Sequence, residues 1–239
     1  MKFSKSVFPN TFTFGNMFCG LAAIIQTFQG NFDYAAYLIV LGAILDALDG
    51  FVARLVKASS AMGVQLDSLA DVITFGVAPS ILVYKLSLES LGIWGILISS
   101  LLMMGGAYRL ARFNVQLVGF DKDFFTGLPI PAQAATICSF ILSYSWFENM
   151  LSVDKQTILI PLVILLALLM VSTIKYDSLP KFNKTTFQKE PFKIIILAAL
   201  VLLVILLRVE GLFIGMILYI IFGISRWLTS GTLPIKKTI

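Results

Sequence analysis

Four aspartates carry the chemistry open to this chain. Asp46 and Asp49 form one pair and Asp67 and Asp71 another, and both pairs fall at the ends of hydrophobic segments. On helices, spacings of i,i+3 and i,i+4 put each pair on one face, one turn apart. Two such pairs facing each other make a cage of oxygens. Four carboxylates that close repel one another unless a multivalent cation sits among them, so the expected occupant is a hard divalent ion, with two ions expected. The chain contains no histidine, which removes Ser-His-Asp and Cys-His catalysis and every His-bound metal site. The chemistry has to run on carboxylates.

The residues between the pairs point the same way. Gly50 presents bare backbone beside the second carboxylate and permits close approach by a bulky ligand. Ala53 is small on the same side, and Arg54 brings a permanently charged fork suited to phosphate. The following K-A-S-S-A-M-G reads as a short polar turn in which Gly63 lets the chain reverse before the next helix.

The elements that must hold these groups are membrane helices. Of the 239 residues, 58% are hydrophobic and 13% charged, against roughly 25% charged in a soluble domain. Hydrophobic segments fall at about 11–29, 34–55, 68–88, 92–115, 129–147, 156–174, 192–208 and 212–228. Each approaches the ~20 residues that cross ~30 Å of hydrocarbon at 1.5 Å per residue. Continuous apolar runs of this length exclude strands, so the expected fold class is an all-α integral membrane protein with about eight transmembrane helices. Lys2 and Lys5 precede an apolar stretch in the manner of a signal peptide, but Pro9-Asn10-Thr11 interrupts it and no small-residue cleavage site follows. Asn10 reads as a helix N-cap whose positive dipole end could receive an anion.

With the N-terminus in the cytosol, fifteen of the 18 basic residues fall inside, and only Lys85, Lys155 and Arg208 outside. That asymmetry predicts both termini inside and a carboxylate cluster that opens to the cytosol of an inner-membrane protein. A net charge of +5 then needs no nucleic-acid partner, because basic cytosolic rims bind anionic lipid headgroups. One membrane-embedded domain, 1–239, is expected. The polar stretch around Pro180 and Pro191 divides a catalytic core of six helices, about 8–175, from a two-helix extension, about 191–230. Gly211 and Gly215 suit packing within the chain better than a dimer face. Cys19 and Cys138 read as small buried hydrophobes.

Written out, the central pattern is D-x2-D-G-x2-A-R-x8-G-x3-D-x3-D, met at Asp46, Asp49, Gly50, Ala53, Arg54, Gly63, Asp67 and Asp71. This resembles the signature of the CDP-alcohol phosphotransferases. The resemblance implies that the four aspartates are metal ligands for Mg²⁺ or Mn²⁺, with Asp71 close enough to take a hydroxyl proton. It implies a CDP-linked lipid as donor and CMP as product, with Gly50, Arg54, Ser59 and Ser60 along the CDP moiety. Pro9, Asn10 and Thr13 resemble the segment that approaches the nucleotide. The resemblance also implies a homodimer.

D-S-L-A-D-V-I-T-F-G-V-A-P from Asp67, Y-R-L-A-R-F-N at 108–114 and G-L-P-I-P-A at 127–132 are similar to the membrane phosphatidylserine synthases of bacteria and archaea, over about residues 8–135. This implies transfer from CDP-diacylglycerol to L-serine. Arg109 and Arg112, with Asn114 just beyond, could bind the acceptor's carboxylate or simply anchor a cytosolic membrane edge. Two other readings stay open at this point. A relative that uses glycerol phosphate or inositol phosphate would keep the cage but need more basic groups for its acceptor. A divalent-cation transporter also gathers intramembrane carboxylates, although no second set stands at midplane in a repeated half.

Overall fold

The computed structural model describes residues 7–55, 61–116, 124–151, 154–177 and 191–230. The first two helices, α1 (Val7–Phe28) and α2 (Phe32–Leu55), form an antiparallel hairpin. Its turn is made at Gly30, whose φ of 79° lies in the left-handed region that glycine enters without steric cost. Because α1 begins at Val7, Asn10 is inside the helix and does not cap it. Pro9 falls in the first turn, where a missing N–H costs no hydrogen bond, so the proline that seemed to delay the helix is accommodated by it.

The third crossing is one apolar stretch, Met62–Leu91, that starts earlier than the hydrophobic run at 68–88 suggests. It comprises α3 (Ala61–Asp71), a π-helical turn over Val72–Val77, α4 (Ala78–Val83), and π and 3-10 turns to Leu91. Gly63 sits in the first turn of α3 and is helical, so it does not make the reversal expected of it. Pro79 lies just after the π turn; widening of the helix there accommodates a residue with no N–H to donate.

Thr74, in the π turn, wedges α1, α2 and this crossing together. A Cβ added at Gly20 would lie 2.6 Å from Thr74 Oγ1, and one at Gly42 2.6 Å from Thr74 Cγ2. The Thr74 hydroxyl donates to the Asn16 carbonyl at 2.9 Å. Small residues at this crossing let the backbones approach closely, as is usual where lipid offers no hydrophobic drive between helices.

A turn at Gly92 (φ 56°) leads into α5 (Ile93–Gln116). Gly105 packs on Ala167 and Met170, and Gly106 packs beneath Ile130, so α5 is gripped on both sides just before its arginines. A short antiparallel pair follows that the sequence did not signal: β1 (Phe124–Thr126) with β2 (Lys175–Asp177), Phe125 opposite Tyr176. Between them run α6 (Ile130–Leu151) and α7 (Lys155–Val171). The last helix, α8 (Pro191–Ser230), breaks at Arg208, where φ is 52° and ψ −120°. Gly211 returns against the backbone of Leu203 and Val204, which a continuous helix would hold about 12 Å away. The expected segments 192–208 and 212–228 are therefore the two arms of a tight reversal, and Gly211 packs within the chain.

Among the described residues, five stretches are long and apolar enough to cross a membrane: Asn10–Phe28, Phe32–Ala53, Met62–Leu91, Ile93–Val115 and Leu202–Thr229, the last containing the break. Ile130–Tyr144 and Lys155–Val171 are shorter apolar helices. Phe14, Phe18, Leu21 and Ile25 on α1, and Leu41, Ile44, Leu48 and Phe51 on α2, form exposed apolar stripes at helical spacing, the outward face of a multi-pass membrane protein. The core behind them includes Ile39, Phe75, Leu82, Leu102, Ile137 and Leu166. Cys19 and Cys138 are buried free thiols.

Candidate active site

The hairpin of α1 and α2 and the end of α3 converge on the aspartates. Asp46 and Asp49 project from the C-terminal part of α2, while Asp67 and Asp71 end α3 just before the π turn. Carboxylate oxygens of Asp46, Asp49 and Asp67 all lie within 4.8 Å of one another. Asp71, 7% exposed, stands beside that triad, with its carboxyl against Asp46. The sequence put all four in one cage; the structure draws three tightly together and sets the fourth behind them.

Two residues of α1 organise this cluster. The Thr13 hydroxyl donates to Asp49 Oδ2 at 2.9 Å, and Asn16 Nδ2 is 3.4 Å from Asp71 Oδ1. Thr13 thus orients a carboxylate, a contact that its resemblance to a nucleotide-approaching residue did not suggest. Asn16 was not singled out by sequence at all. The signal was present, however: an amide one turn beyond Thr13 on an otherwise apolar helix is a polar group that lipid would not tolerate without a partner. The Thr74 wedge fixes this register, because Thr74 lies one turn after Asp71 and is bonded to the backbone of Asn16.

The donor set fits a hard divalent cation. Two like charges about 4 Å apart repel by ~4 kcal/mol even at an effective dielectric of about 20, and the triad contains three such pairs. One oxygen of Asp67 is buried with no hydrogen-bond partner among the described residues, as a ligand atom waiting for a cation would be. The donors are carboxylate oxygens alone, the chemistry that Mg²⁺ and Mn²⁺ accept.

Beside the triad, a Cβ placed on Gly50 would meet nothing within 4 Å among the described residues, so the backbone there borders open space with respect to them. Ala53 is half-buried on the next turn of α2, and Gly63 half-buried on α3. Asn10 is half-buried on α1. Pro9 and Arg54 have their backbones in α1 and α2, but their side chains are outside what the structure describes; Ser59 and Ser60 lie outside the described residues altogether.

The two arginines of α5 separate into different roles. Arg109 is 5% exposed and lies within electrostatic reach of Asp71 on α3 and Tyr219 on α8. Arg112 donates to the carbonyls of Val171 (2.8 Å), Thr126 (2.9 Å), Ser172 (3.0 Å) and Met170 (3.2 Å). It caps the C-terminus of α7 and ties it to β1, because the last carbonyls of a helix lack internal partners. That corrects the expectation that Arg112 binds the acceptor, since both terminal nitrogens are committed to the backbone. Asn114 donates to Ser68 Oγ at 2.9 Å, and its own oxygen is buried with no partner among the described residues.

Comparison with known proteins agrees with this geometry. A model of the CDP-alcohol phosphatidyltransferase family matches residues 6–174. The chain is 39% identical over 226 residues to a CDP-diacylglycerol–serine O-phosphatidyltransferase of Helicobacter pylori, covering 93% of this chain and 91% of that protein. It is 39% identical to the protein of the same name in Bacillus subtilis over 74% of this chain and 91% of the relative. It is also 37% identical to an archaetidylserine synthase of Methanothermobacter thermautotrophicus over 74% and 72%. With the match spanning the aspartate cluster and the helices that hold it, the chain belongs to the CDP-alcohol phosphatidyltransferase family.

Proposed function

We propose that this protein transfers the phosphatidyl group of CDP-diacylglycerol to the hydroxyl of L-serine and releases CMP. The observation that carries the reading is the juxtaposition of the Asp46–Asp49–Asp67 triad with Asp71 and the buried Arg109 beside it. The names of the relatives from Helicobacter pylori and Bacillus subtilis support serine as acceptor.

Asp46, Asp49 and Asp67, with Asp71 behind them, would hold Mg²⁺ or Mn²⁺, two ions in number. When bound, such cations neutralise the pyrophosphate and the charge developing on departing CMP. Gly50 leaves room for the CDP moiety, and Arg54 holds one of its phosphates. Ser59, Ser60, Gly63, Ala53 and the first turns of α1, with Pro9, Asn10 and Thr13, border the same moiety. Arg109 receives the serine carboxylate, which brings the serine hydroxyl toward Asp71. The serine oxygen forms a bond to the phosphatidyl phosphorus, and the bond from that phosphorus to the bridging oxygen breaks with its electron pair going to CMP. Asp71 takes the hydroxyl proton as attack proceeds. Asn114 contributes its buried carbonyl oxygen to the acceptor's ammonium.

In this reading the site opens to the cytosol of the inner membrane, where nucleotide-activated lipid and serine are available, and the working unit is a homodimer. The phospholipid product is phosphatidylserine. Purified protein in vesicles containing CDP-diacylglycerol should release CMP with serine, but not with glycerol phosphate, inositol phosphate or inositol. Release that depends on another alcohol would overturn the acceptor assignment.

Arg54 carries a prediction of its own. Arg54→Lys keeps the charge but loses the bidentate fork, so the KM for CDP-diacylglycerol should rise by roughly tenfold or more, as loss of one charge-assisted hydrogen bond implies. Donor binding unchanged in Arg54→Ala would leave Arg54 only an anchor at the membrane edge.

A further inference from the structure

The last helix lies beyond the stretch that matches the family, which ends at residue 174, while α8 begins at Pro191. It nevertheless reaches the site. Tyr219, half-buried on its second arm, lies within electrostatic reach of Arg109, the group assigned above to the acceptor's carboxylate. Four residues on, and so on the same face of the helix, Gly223 receives the ring of Tyr176: a Cβ there would lie 2.2 Å from Tyr176 Cε1. Tyr176 and Tyr219 stack with centroids 5.4 Å apart and planes tilted by 42°. Earlier on the same arm of α8, the Phe213 ring centroid lies 5.6 Å from that of Phe140 of α6.

Tyr176 is 1% exposed, and its hydroxyl has no hydrogen-bond partner among the described residues. Burial pushes that phenol up to about 12, so it stays protonated at neutral pH. Its strand, β2, pairs with β1, and the Thr126 carbonyl of β1 accepts from Arg112. Both arginines of α5 are thus served by one strand pair, Arg112 directly and Arg109 by way of Tyr176 and Tyr219. An ordinary lipid-facing extension would need none of these contacts. A glycine that admits an aromatic ring, followed by a tyrosine pair that leads to a buried guanidinium, is a support for that guanidinium.

We propose that α8 completes the acceptor site, with Tyr219, held in place by Tyr176 and Gly223, acting as the positioning residue that fixes the Arg109 fork for the carboxylate of a small amino-acid alcohol. The inference rests on the serine reading above and adds to it a determinant of acceptor recognition outside the six-helix core. Its consequence is a split in the kinetics. Arg109 meets the acceptor and not the donor, so loosening it should weaken serine binding and spare CDP-diacylglycerol.

The test uses the full-length protein with Tyr219→Phe, which keeps the ring stack and removes only the hydroxyl. The KM for serine should rise by roughly threefold to tenfold, the scale of one net polar contact, while kcat, the KM for CDP-diacylglycerol and the thermal midpoint hold. Leu218→Ala, at the neighbouring exposed position, should change none of these. Wild-type protein without serine-dependent CMP release would remove the function reading itself. Serine-dependent wild type with an unchanged serine KM in Tyr219→Phe would overturn this inference alone. So would a variant whose thermal midpoint and both KM values move together, because that is the mark of a merely structural residue.

Discussion

Asp49→Asn is expected to abolish turnover, with a loss on the order of 10²-fold or more, because it removes a ligand charge from the centre of the carboxylate triad. Asp49 is 6% exposed and receives the Thr13 hydroxyl at 2.9 Å, so asparagine fits the same space and can still accept that bond. The fold should therefore survive while divalent-ion affinity falls. Binding of Mn²⁺ by the variant, followed by electron paramagnetic resonance without any substrate, separates metal loss from a catalytic defect. In the same account, stripping the wild-type protein with EDTA should abolish activity and Mg²⁺ or Mn²⁺ should restore it. Full turnover in excess chelator, or undiminished Mn²⁺ binding by Asp49→Asn, contradicts the cage.

Asp71→Asn should have the second large effect and a different signature. A serine hydroxyl is a weak nucleophile at neutral pH, and a carboxylate that takes its proton during attack contributes roughly 10²–10⁴-fold. Asp71 stands outside the 4.8 Å triad, buried against Asp46 and Asn16 and within electrostatic reach of Arg109. That position suits contact with an acceptor held by Arg109 better than a place among the main ligands. The rate should collapse by that range, while CDP-diacylglycerol binding and Mn²⁺ affinity change by less than a few-fold. If metal affinity falls in step with the rate, Asp71 is a ligand first and the base assignment fails.

Periodicity is local, so the facing of Asp46 with Asp49, and of Asp67 with Asp71, was legible from spacing, as were the apolar segments that hold them. What was missed depends on contacts between distant elements. Asn16 gains its meaning only when Thr74 locks α1 against the third crossing. Arg112 looked like a partner for Arg109 because they are three residues apart, but the carbonyls that claim it come from the end of α7 and from β1. Gly63 looked like a turn because it follows polar residues, yet a glycine in the first turn of a helix costs little. The tyrosine pair that leads to Arg109 was invisible for the same reason: Tyr176 and Tyr219 lie on separate elements, and nothing in either segment alone marks them as neighbours.

The most direct test of the central claim, that the serine hydroxyl displaces CMP at the phosphatidyl phosphorus over the aspartate cluster, is to run the reaction with serine carrying oxygen-18 in its hydroxyl. Mass spectrometry of the products should find the heavy oxygen in the phospholipid and unlabelled CMP released in equal amount, with both products lost in Asp49→Asn. Attack at the cytidylyl phosphorus would instead join the heavy oxygen to CMP and leave phosphatidic acid behind, and that result would contradict the account.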